Sequence, residues 1–343
     1  IFSKIMSATA TRRTRRGVNK RTLERLEKQI EQGNHYEALQ TYNSLDTRFQ
    51  STSKYKEAAK LLVSGAQQML EHQHFNEGTE LAEKYINLIK AWPNLVSEQE
   101  AIEKQFIGDA IKNIFHLQSL YYGGGEKTKL SGDEADLQFS AYQRFMNAAI
   151  EYSVDIEKRK AQHGSTPPVP YQGCRPLHAL LAQRLAQRGK LQEAHKHYLR
   201  SDAHKEFAQL LLGWVASNKH SLQPDFVLAK SVFGYLSLGR LAPANALFEA
   251  FHNKFGNEQA ITQRALYQFV KYLLQVLQTD AYPLFVELER RYAPVLQIDR
   301  QFPAQMDSIA YIFFSKKRQP RQQGGMAGML QSMMSSMLGN QSN

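Results

Sequence analysis

The segment Gly33–Ala66, GNHYEALQTYNSLDTRFQSTSKYKEAAKLLVSGA, indicates how the whole chain folds. Ala38 follows Gly33 by five positions, and the aromatic residue Tyr42 follows Ala38 by four. The same Gly-x4-Ala-x3-aromatic spacing recurs twice, at Gly189, Ala194 and Tyr198 and at Gly239, Ala244 and Phe248. In tetratricopeptide-like turns the glycine ends one helix, the small alanine lets the next helix approach closely, and the aromatic ring fills the gap. The motif therefore predicts stacked pairs of antiparallel helices.

Helical periodicity extends this prediction over most of the chain. Apolar residues recur at intervals of three and four, as at Leu23, Leu26 and Ile30, and strand alternation is not seen. The helical windows, of about 12 to 20 residues, are separated by glycines suited to a left-handed position after a helix: Gly33, Gly189, Gly239 and Gly256. Because the motif copies are 156 and 50 residues apart, no fixed register holds. We predict an all-α fold, an irregular tetratricopeptide-like α-solenoid of antiparallel helix pairs.

Composition divides the chain into five segments. Stretches rich in Gly, Pro, Ser and charge at 121–133 and 162–175 interrupt the periodicity and predict exposed loops. The second of these is expected to separate two halves of the solenoid. The predicted segments are a disordered basic tail (1–20), an N-terminal half (21–160), a loop (161–176), a C-terminal half (177–315) and a basic, then Met-rich amphipathic tail (316–343).

The Met-rich tail carries one apolar stripe. Its members share the spacing of a single helix face: Met326, Met329, Leu330, Met333, Met334, Met337 and Leu338. Methionine suits adaptable hydrophobic binding surfaces. Three interpretations stay open for the stripe: docking onto the solenoid or a partner, disorder, and weak contact with a membrane or a client protein.

The net charge of +11 is concentrated at the two ends of the chain. The first twenty residues hold six cations and no acid, and the last 28 hold four cations and no acid, which leaves about +1 for residues 21–315. A nucleic-acid-binding body needs a basic face, so we expect no nucleic-acid partner. No run of 18 apolar residues is present, so we expect no stable membrane insertion. The single cysteine, Cys174, fits a reducing compartment, and the cytosol is the expected location.

The sequence shows no pattern typical of a catalytic, cofactor or metal site. In Gly123–Thr128 glycines precede Lys-Thr, but the spacing differs from that of a phosphate loop and no strand precedes it. His195 and His197 are two residues apart on a predicted helix, so they point in different directions and cannot share an ion. We interpret both as surface histidines beside the turn at Ser201. The chain is predicted to be a binding protein without enzymatic activity, cofactor or metal.

Several stretches besides the repeat motif share the pattern of one family. Within Gly33–Ala66 the shared stretches are GxxYEAxQ, the aromatic residue after Arg48, SKY and SGA. Further shared stretches lie in Leu177–Leu181, Glu193–Ser201 and Leu284–Phe314. Together with the Met/Leu/Gly-rich ending, they make about residues 21–343 resemble the Golgi-to-ER traffic protein four family. That family is the scaffold of the pathway that delivers tail-anchored membrane proteins to the endoplasmic reticulum.

The resemblance implies an α-solenoid adaptor with two direct partners. Its N-terminal helices are expected to bind the dimeric targeting ATPase through the second to fourth helices, with Tyr36, Arg48 and Glu80. Its C-terminal half is expected to bind a ubiquitin-like adaptor or, in animals, a large BAG-family scaffold. The residues expected there are Tyr292, Phe313, Phe314, Met329 and Met333. A tetratricopeptide co-chaperone that holds the substrate is then linked indirectly to the ATPase.

Two places depart from the family's pattern. Asn87 stands where the family usually has a second acid, which leaves open how strongly this chain controls its partner's ATP turnover. Between Phe255 and Leu266 the connection is short, where some fungal members insert a β-hairpin that grips the ubiquitin-like partner. That mode of binding is therefore not expected here.

Alternatives remain for single residues and for the function. Tyr36 lies inside the repeat motif, so simple helix packing also explains it, and Glu80 also fits a solvated helix face. A proteasome-lid-like repeat scaffold would end in a winged helix with strand alternation. An RNA- or ribosome-associated protein would use the basic ends, and its salt-sensitive RNA binding would vanish when residues 1–20 are removed.

Overall fold

Helices form every regular element of the part of the chain that the structure describes. The computed structural model describes residues 20–95, 100–123, 131–161, 169–218 and 222–316. None of the helices in these ranges combines the length and the hydrophobicity that a membrane-spanning helix needs. The chain divides into two compact units, unit 1 (Ile1–Lys160) and unit 2 (Ala161–Asn343). The predicted all-α class with its solenoid-like helix pairs is confirmed. The Met-rich stripe, with Met329 and Met333, lies outside the described residues.

Unit 1 is built from consecutive helices joined by short turns. The helices that begin in it are α1 (Lys20–Glu31), α2 (His35–Ser51), α3 (Tyr55–Glu71), α4 (Phe75–Leu95), α5 (Glu100–Gly123) and α6 (Gly132–Ala161). Three-residue turns reverse the chain between α1 and α4, and α3 packs against both α2 and α4. The N-terminal ends of α2 and α4 therefore lie at the same end of the unit, where these two helices also contact each other.

The repeat motif sets the spacing of helices α2 and α3. Tyr42 is fully buried, and its hydroxyl donates a hydrogen bond to Gln68 Oε1 at 2.8 Å. Its ring lies so close to Gly65 that a Cβ added at Gly65 would be 2.7 Å from Tyr42 Cε1. Ala38, one turn before Tyr42, is also fully buried. Small residues at Ala38 and Gly65 thus make room for the tyrosine ring.

Unit 2 has shorter and less regular helices. They are α7 (Arg175–Gln187), α8 (Leu191–Tyr198), α9 (His204–Ser217), α10 (Pro224–Leu236), α11 (Leu241–Phe255), α12 (Gln259–Thr262), α13 (Ala265–Gln278), α14 (Tyr282–Arg291), α15 (Ala293–Leu296) and α16 (Phe302–Phe314). The predicted helix length of 12 to 20 residues is wrong for seven helices. Four are shorter, with eight residues in α8, ten in α14 and four each in α12 and α15, and three of unit 1 are longer, with 21 in α4, 24 in α5 and 30 in α6. The connection between Phe255 and Leu266 contains α12 and no strand.

Helix α10 is the centre of unit 2. From Val227 to Leu236 every residue except Lys230 is buried, so the helix is apolar all round, as a central helix must be. It packs against α11, α13 and α16. The Phe233 ring meets Phe269 of α13 and Phe302 of α16 edge-on, with centroids 5.7 and 4.9 Å apart. This aromatic cluster connects helices that are far apart in sequence.

The predicted left-handed glycines occupy most of the turns assigned to them. Gly33, Gly189 and Gly239 have φ angles of +81°, +72° and +69°, each directly after a helix. At each turn the next residue's N–H reaches back five positions, as in Asn34 N to Gln29 O at 2.8 Å, which closes the Schellman motif. The prediction is wrong for Gly256, which has φ −60° in the right-handed region.

The same turn also occurs without glycine. Ser53, Gln73 and Asp280 have φ angles of +54°, +63° and +50°, and each follows a helix. Lys54 N donates to Phe49 O and His74 N to Met69 O, both at 2.8 Å, so these turns have the same hydrogen-bond pattern. In unit 1 the left-handed residues Gly33, Ser53 and Gln73 are therefore spaced by twenty residues, a regular repeat that the glycine pattern does not reveal.

A buried arginine ties two turns of unit 2 together. Arg240 is 8% exposed and follows the motif residue Gly239. Its Nη1 donates to Leu199 O at 2.7 Å and to Ser201 O at 2.6 Å, and its Nη2 donates to Asp202 Oδ1 at 2.9 Å. The turn after α8 is thereby fixed to the turn before α11.

Candidate partner-binding surfaces

The three residues predicted to bind the N-terminal partner lie on helices α2 and α4. Tyr36 is the second residue of α2 and is 65% exposed, so helix packing does not explain it. Arg48 is exposed in the last turn of α2. Twelve residues separate the two, which corresponds to about 18 Å along the helix axis. Tyr36 and Arg48 are therefore exposed side chains at the two ends of one helix.

Glu80 of α4 is joined to α2 by a polar triangle. Asn43 Nδ2 donates to Glu80 Oε1 at 3.1 Å, and Lys84 Nζ donates to Asn43 Oδ1 at 2.6 Å. Lys84 also pairs with Glu80 at 3.3 Å. The freely solvated helix face offered as the alternative for Glu80 is thus too simple, because the carboxylate connects two helices. Sequence reasoning missed Asn43, although it lies two turns after Tyr36 on the same face.

The exposed side of α2 is a polar stripe with one large aromatic side chain. One face of the helix carries four residues spaced at i, i+4, i+7 and i+11: Tyr36, Gln40, Asn43 and Thr47. Each is exposed or half-buried. A lone exposed tyrosine with polar neighbours is typical of the aromatic anchors found at protein interfaces.

The acids of α4 are all engaged by other groups in unit 1. Glu77 lies 3.4 Å from His35 Nε2, and Glu80 belongs to the triangle with Asn43 and Lys84. Glu83 accepts a hydrogen bond from Arg144 Nε of α6 at 3.2 Å.

Asn87, at the position that departs from the family's pattern, is exposed on the same helix. The face near Glu80 therefore carries cations paired with its acids instead of a free acidic patch.

The residues predicted to bind the C-terminal partner are spread over two aromatic groups of unit 2. Tyr292, just after α14, lies 5.5 Å from the Phe269 ring, centroid to centroid. Phe314, at the end of α16, lies 5.3 Å from both Tyr282 and Phe285. The predicted residues Tyr292, Phe313 and Phe314 are half-buried, and Tyr292 and Phe314 pack against the buried rings of Phe269 and Phe285.

A second set of apolar side chains in unit 2 was not predicted from the sequence. Its members are large, apolar and exposed: Tyr272 (42%), Leu284 (58%), Val286 (42%), Ile298 (62%) and Tyr311 (37%). Val286 also lines a groove with Tyr282 and Leu296. Large apolar side chains that are exposed in this way are typical of protein-binding surfaces. These residues could not be identified from the sequence, because their positions on a helix face depend on the exact start of each short helix.

His195 and His197 are half-buried and pack against other helices of unit 2, so the prediction of both as surface histidines is wrong. His195 Nε2 lies 3.0 Å from Ser231 Oγ of α10, and its ring meets Phe207 edge-on. His197 Nδ1 lies 2.8 Å from Nδ1 of His178 on α7. Burial lowers the pKa of His195 to about 4 and that of His197 to about 4. The two side chains do point to different helices, as their spacing predicts.

Comparison with known proteins assigns the chain to a family. A family model described as Golgi to ER traffic protein 4 matches residues 52–338. The Golgi to ER traffic protein 4 homolog of Dictyostelium discoideum is 30% identical, covering 92% of this chain and 89% of that protein. Protein GET4 of Arabidopsis thaliana is 29% identical, with 91% and 95% covered, and the Homo sapiens homolog is 24% identical, with 95% and 88% covered.

The fold comparison agrees with the sequence comparison. A crystal structure titled as Get4 of C. therm. superposes with a TM-score of 0.64 and covers 92% of this chain and 95% of that one. At 19% identity this likeness shows the fold alone. The family match, which spans both units, carries the assignment. The chain belongs to the Golgi to ER traffic protein 4 family, and so to Golgi-to-ER traffic.

Proposed function

We propose that this protein is a non-enzymatic cytosolic adaptor that promotes delivery of tail-anchored membrane proteins to the endoplasmic reticulum. Unit 1 binds the targeting ATPase, and unit 2 binds a ubiquitin-like adaptor or a BAG-family scaffold. Through the second partner, a tetratricopeptide co-chaperone with its substrate is brought to the ATPase. The observation that carries the proposal is the family match over residues 52–338, which favours it over a proteasome-lid-like scaffold.

The exposed stripe of α2 supports the placement of the ATPase on unit 1. Tyr36 offers a large aromatic side chain that is 65% exposed, and Arg48 adds a charge at the other end of the same helix. The Asn43, Glu80 and Lys84 triangle holds α2 and α4 in a fixed relation. A pre-ordered surface loses less conformational entropy on binding, which favours affinity.

The exposed apolar residues of α13 and α14 support the placement of the second partner on unit 2. Leu284 and Tyr272 are each more than two-fifths exposed, and burying them on binding is favourable by about 25 cal/mol per Å². This surface differs in chemistry from the polar stripe of unit 1. Two surfaces of different character fit an adaptor that holds two different partners.

The first experiment mixes the purified protein with the nucleotide-loaded targeting ATPase and measures the mass of the complex by size-exclusion chromatography with light scattering. The wild type is expected to form a complex, and a Tyr36→Ala/Arg48→Glu double variant is expected to lose it. A Tyr272→Ala/Arg291→Glu variant makes the same chemical changes in unit 2 and serves as the matched control. Complex formation by Tyr36→Ala/Arg48→Glu equal to that of the wild type would move the ATPase surface away from α2.

A further inference from the structure

Three potential metal ligands meet at one end of unit 1. His35, His74 and Glu77 each offer a ligand atom, and these atoms lie within 4.8 Å of one another. His35 Nε2 is 3.4 Å from Glu77 Oε1, and the two imidazole rings stack with centroids 4.1 Å apart. Among the residues that the structure describes, this is the one group of three or more His, Cys, Asp or Glu side chains with such spacing.

The fold explains why residues 39 positions apart converge here. His35 is the first residue of α2, and His74 and Glu77 lie just before and within the first turn of α4. The antiparallel order of α2, α3 and α4 places both helix starts side by side. The turn that carries His74 is fixed by the left-handed conformation of Gln73 and by the hydrogen bond from His74 N to Met69 O. The backbone therefore places the three side chains next to one another before any ligand binds.

The chemistry of the group matches that of zinc ligands. Two histidines and one glutamate form a known protein ligand set that leaves a fourth position for water. Bonds of about 2.1 Å in a tetrahedron put ligand atoms about 3.4 Å apart, the separation seen between His35 and Glu77. Nε2 is the His35 nitrogen that faces Glu77, so it is the ring atom proposed to bind the ion.

Electrostatics make Glu77 the decisive ligand. The N-terminal ends of α2 and α4 carry partial positive charge and disfavour a cation. Glu77 supplies the only full negative charge of the three side chains. A neutral glutamine at this position keeps nearly the same shape but loses that charge.

We propose that His35, His74 and Glu77 bind a first-row divalent cation, with Zn²⁺ the expected ion, and that the metal clamps the start of α2 to the start of α4. The site lies one residue from Tyr36, so the clamp fixes the end of the proposed partner surface. Metal binding is measured on this chain alone. Its failure therefore leaves the proposed ATPase contact untouched, and failure of that contact leaves the metal site untouched.

The test titrates Zn²⁺ into the full-length, metal-free protein by isothermal titration calorimetry and follows Co²⁺ binding by its visible absorption bands. We expect one saturable site, a tetrahedral Co²⁺ spectrum, and a zinc-dependent rise in melting temperature. His35→Ala, His74→Ala and Glu77→Gln are each expected to weaken binding by at least about tenfold. His72→Ala removes an exposed histidine two residues from His74 and is expected to bind as the wild type does.

Circular dichroism of each variant separates loss of the site from loss of the fold, and Glu77→Gln is the variant least able to disturb packing. The proposal is overturned if the wild type binds no Zn²⁺. It is equally overturned if Glu77→Gln and His74→Ala bind Zn²⁺ with wild-type affinity, because the ion then lies elsewhere on the chain.

Discussion

Unit 1 and unit 2 use the same helix-ending turns but bury different kinds of side chain. Eight polar or charged side chains are buried among the described residues, and six of them lie in unit 2: His178, Ser201, Asp225, Ser231, Arg240 and Glu289. Unit 1 buries Asp46 and Thr79. A buried polar group is stable only where interior partners replace its water contacts. Unit 1 therefore depends mainly on the fit of apolar side chains, and unit 2 also on a set of interior polar contacts.

This difference predicts which changes each unit tolerates. Removing a polar partner in unit 2 leaves backbone carbonyls buried and unpaired, which costs more than the bond itself was worth. Adding volume at Gly65 in unit 1 disturbs a close helix contact that small residues make possible. The chain has one tryptophan in each unit, Trp92 and Trp214, so fluorescence follows each unit separately when the other is replaced by phenylalanine.

The largest effect is expected from Arg240→Met in unit 2. The substitution keeps much of the side-chain volume but removes the donors to Leu199 O and Ser201 O. We expect the free energy of unfolding of unit 2 to fall by about 3 kcal/mol. Urea unfolding followed by Trp214 fluorescence in a Trp92→Phe background measures this change.

Arg290→Met is the matched control for Arg240→Met. Arg290 is exposed and pairs with Glu287 on the surface of α14, so its loss is expected to leave the urea midpoint unchanged. Equal effects of the two arginine substitutions would show that the interior polar contacts do not distinguish unit 2.

Gly65→Ala tests the corresponding weakness of unit 1. The added Cβ would lie 2.7 Å from Tyr42 Cε1 and 2.9 Å from Leu81 Cδ1, and neither side chain has free space because both are fully buried. We expect a loss of about 2 kcal/mol in unit 1, measured by Trp92 fluorescence in a Trp214→Phe background. Gly108→Ala, on α5 with nothing within 4 Å of its Cβ, is expected to be neutral or to stabilise by up to about 1 kcal/mol. If both substitutions stabilise, the α2–α3 contact is looser than its geometry indicates.

Acid is expected to weaken unit 2 through His195. Burial lowers the pKa of His195 to about 4, below the ordinary histidine value of 6.5. The unfolded chain then binds a proton between these values while the folded unit does not. Stability is therefore complete above pH 6.5 and is lost as the pH falls toward 4. The loss at pH 5 is about 2 kcal/mol for this one group.

Replacing the histidine identifies its share of the acid sensitivity. Ser231 Oγ donates a hydrogen bond to Val227 O, so Ser231 Oγ accepts the hydrogen bond from His195 Nε2. A glutamine side chain at position 195 keeps an N–H donor for Ser231 Oγ but does not titrate. We expect His195→Gln to reduce the stability difference between pH 7 and pH 5 in urea unfolding of unit 2 by about 2 kcal/mol. His204→Gln, at the half-buried first position of α9, is expected to retain the wild-type pH dependence. An unchanged pH dependence in His195→Gln would place the acid sensitivity on other groups.

The sequence predicted the fold better than the sites, for identifiable reasons. The motif at Gly33, Gly189 and Gly239 was visible because glycine is the usual left-handed residue, and it led directly to the helix pairs. The turns at Ser53 and Gln73 were hidden because side-chain identity does not reveal a positive φ angle. Functional residues that depend on a few degrees of helix rotation or on distant segments meeting cannot be derived from spacing alone.

The convergence of His35 with His74 illustrates this limit. The two residues are 39 positions apart, and only the packing of α2 beside α4 brings their rings to 4.1 Å. His195 and His197 illustrate the opposite error, because their spacing correctly showed that they point apart but could not show that both point inward. Tyr36 was singled out through a family resemblance, and its exposure could be established only once its helix face was known.

The smallest expected effect tests whether the hidden turns of unit 1 carry strain that the glycine turns avoid. Ser53 holds φ +54°, which costs an L-residue about 1 kcal/mol, whereas glycine adopts it freely. Glycine also loses more chain entropy on folding, so we expect Ser53→Gly to stabilise unit 1 by about 0.5 kcal/mol. Ser44→Gly makes the same change inside α2 and is expected to destabilise by a similar amount. If the two substitutions change the free energy of unfolding in urea with opposite signs, Ser53 is identified as a member of the twenty-residue turn repeat. If both substitutions lower that free energy, the left-handed backbone at Ser53 is relaxed by its neighbours.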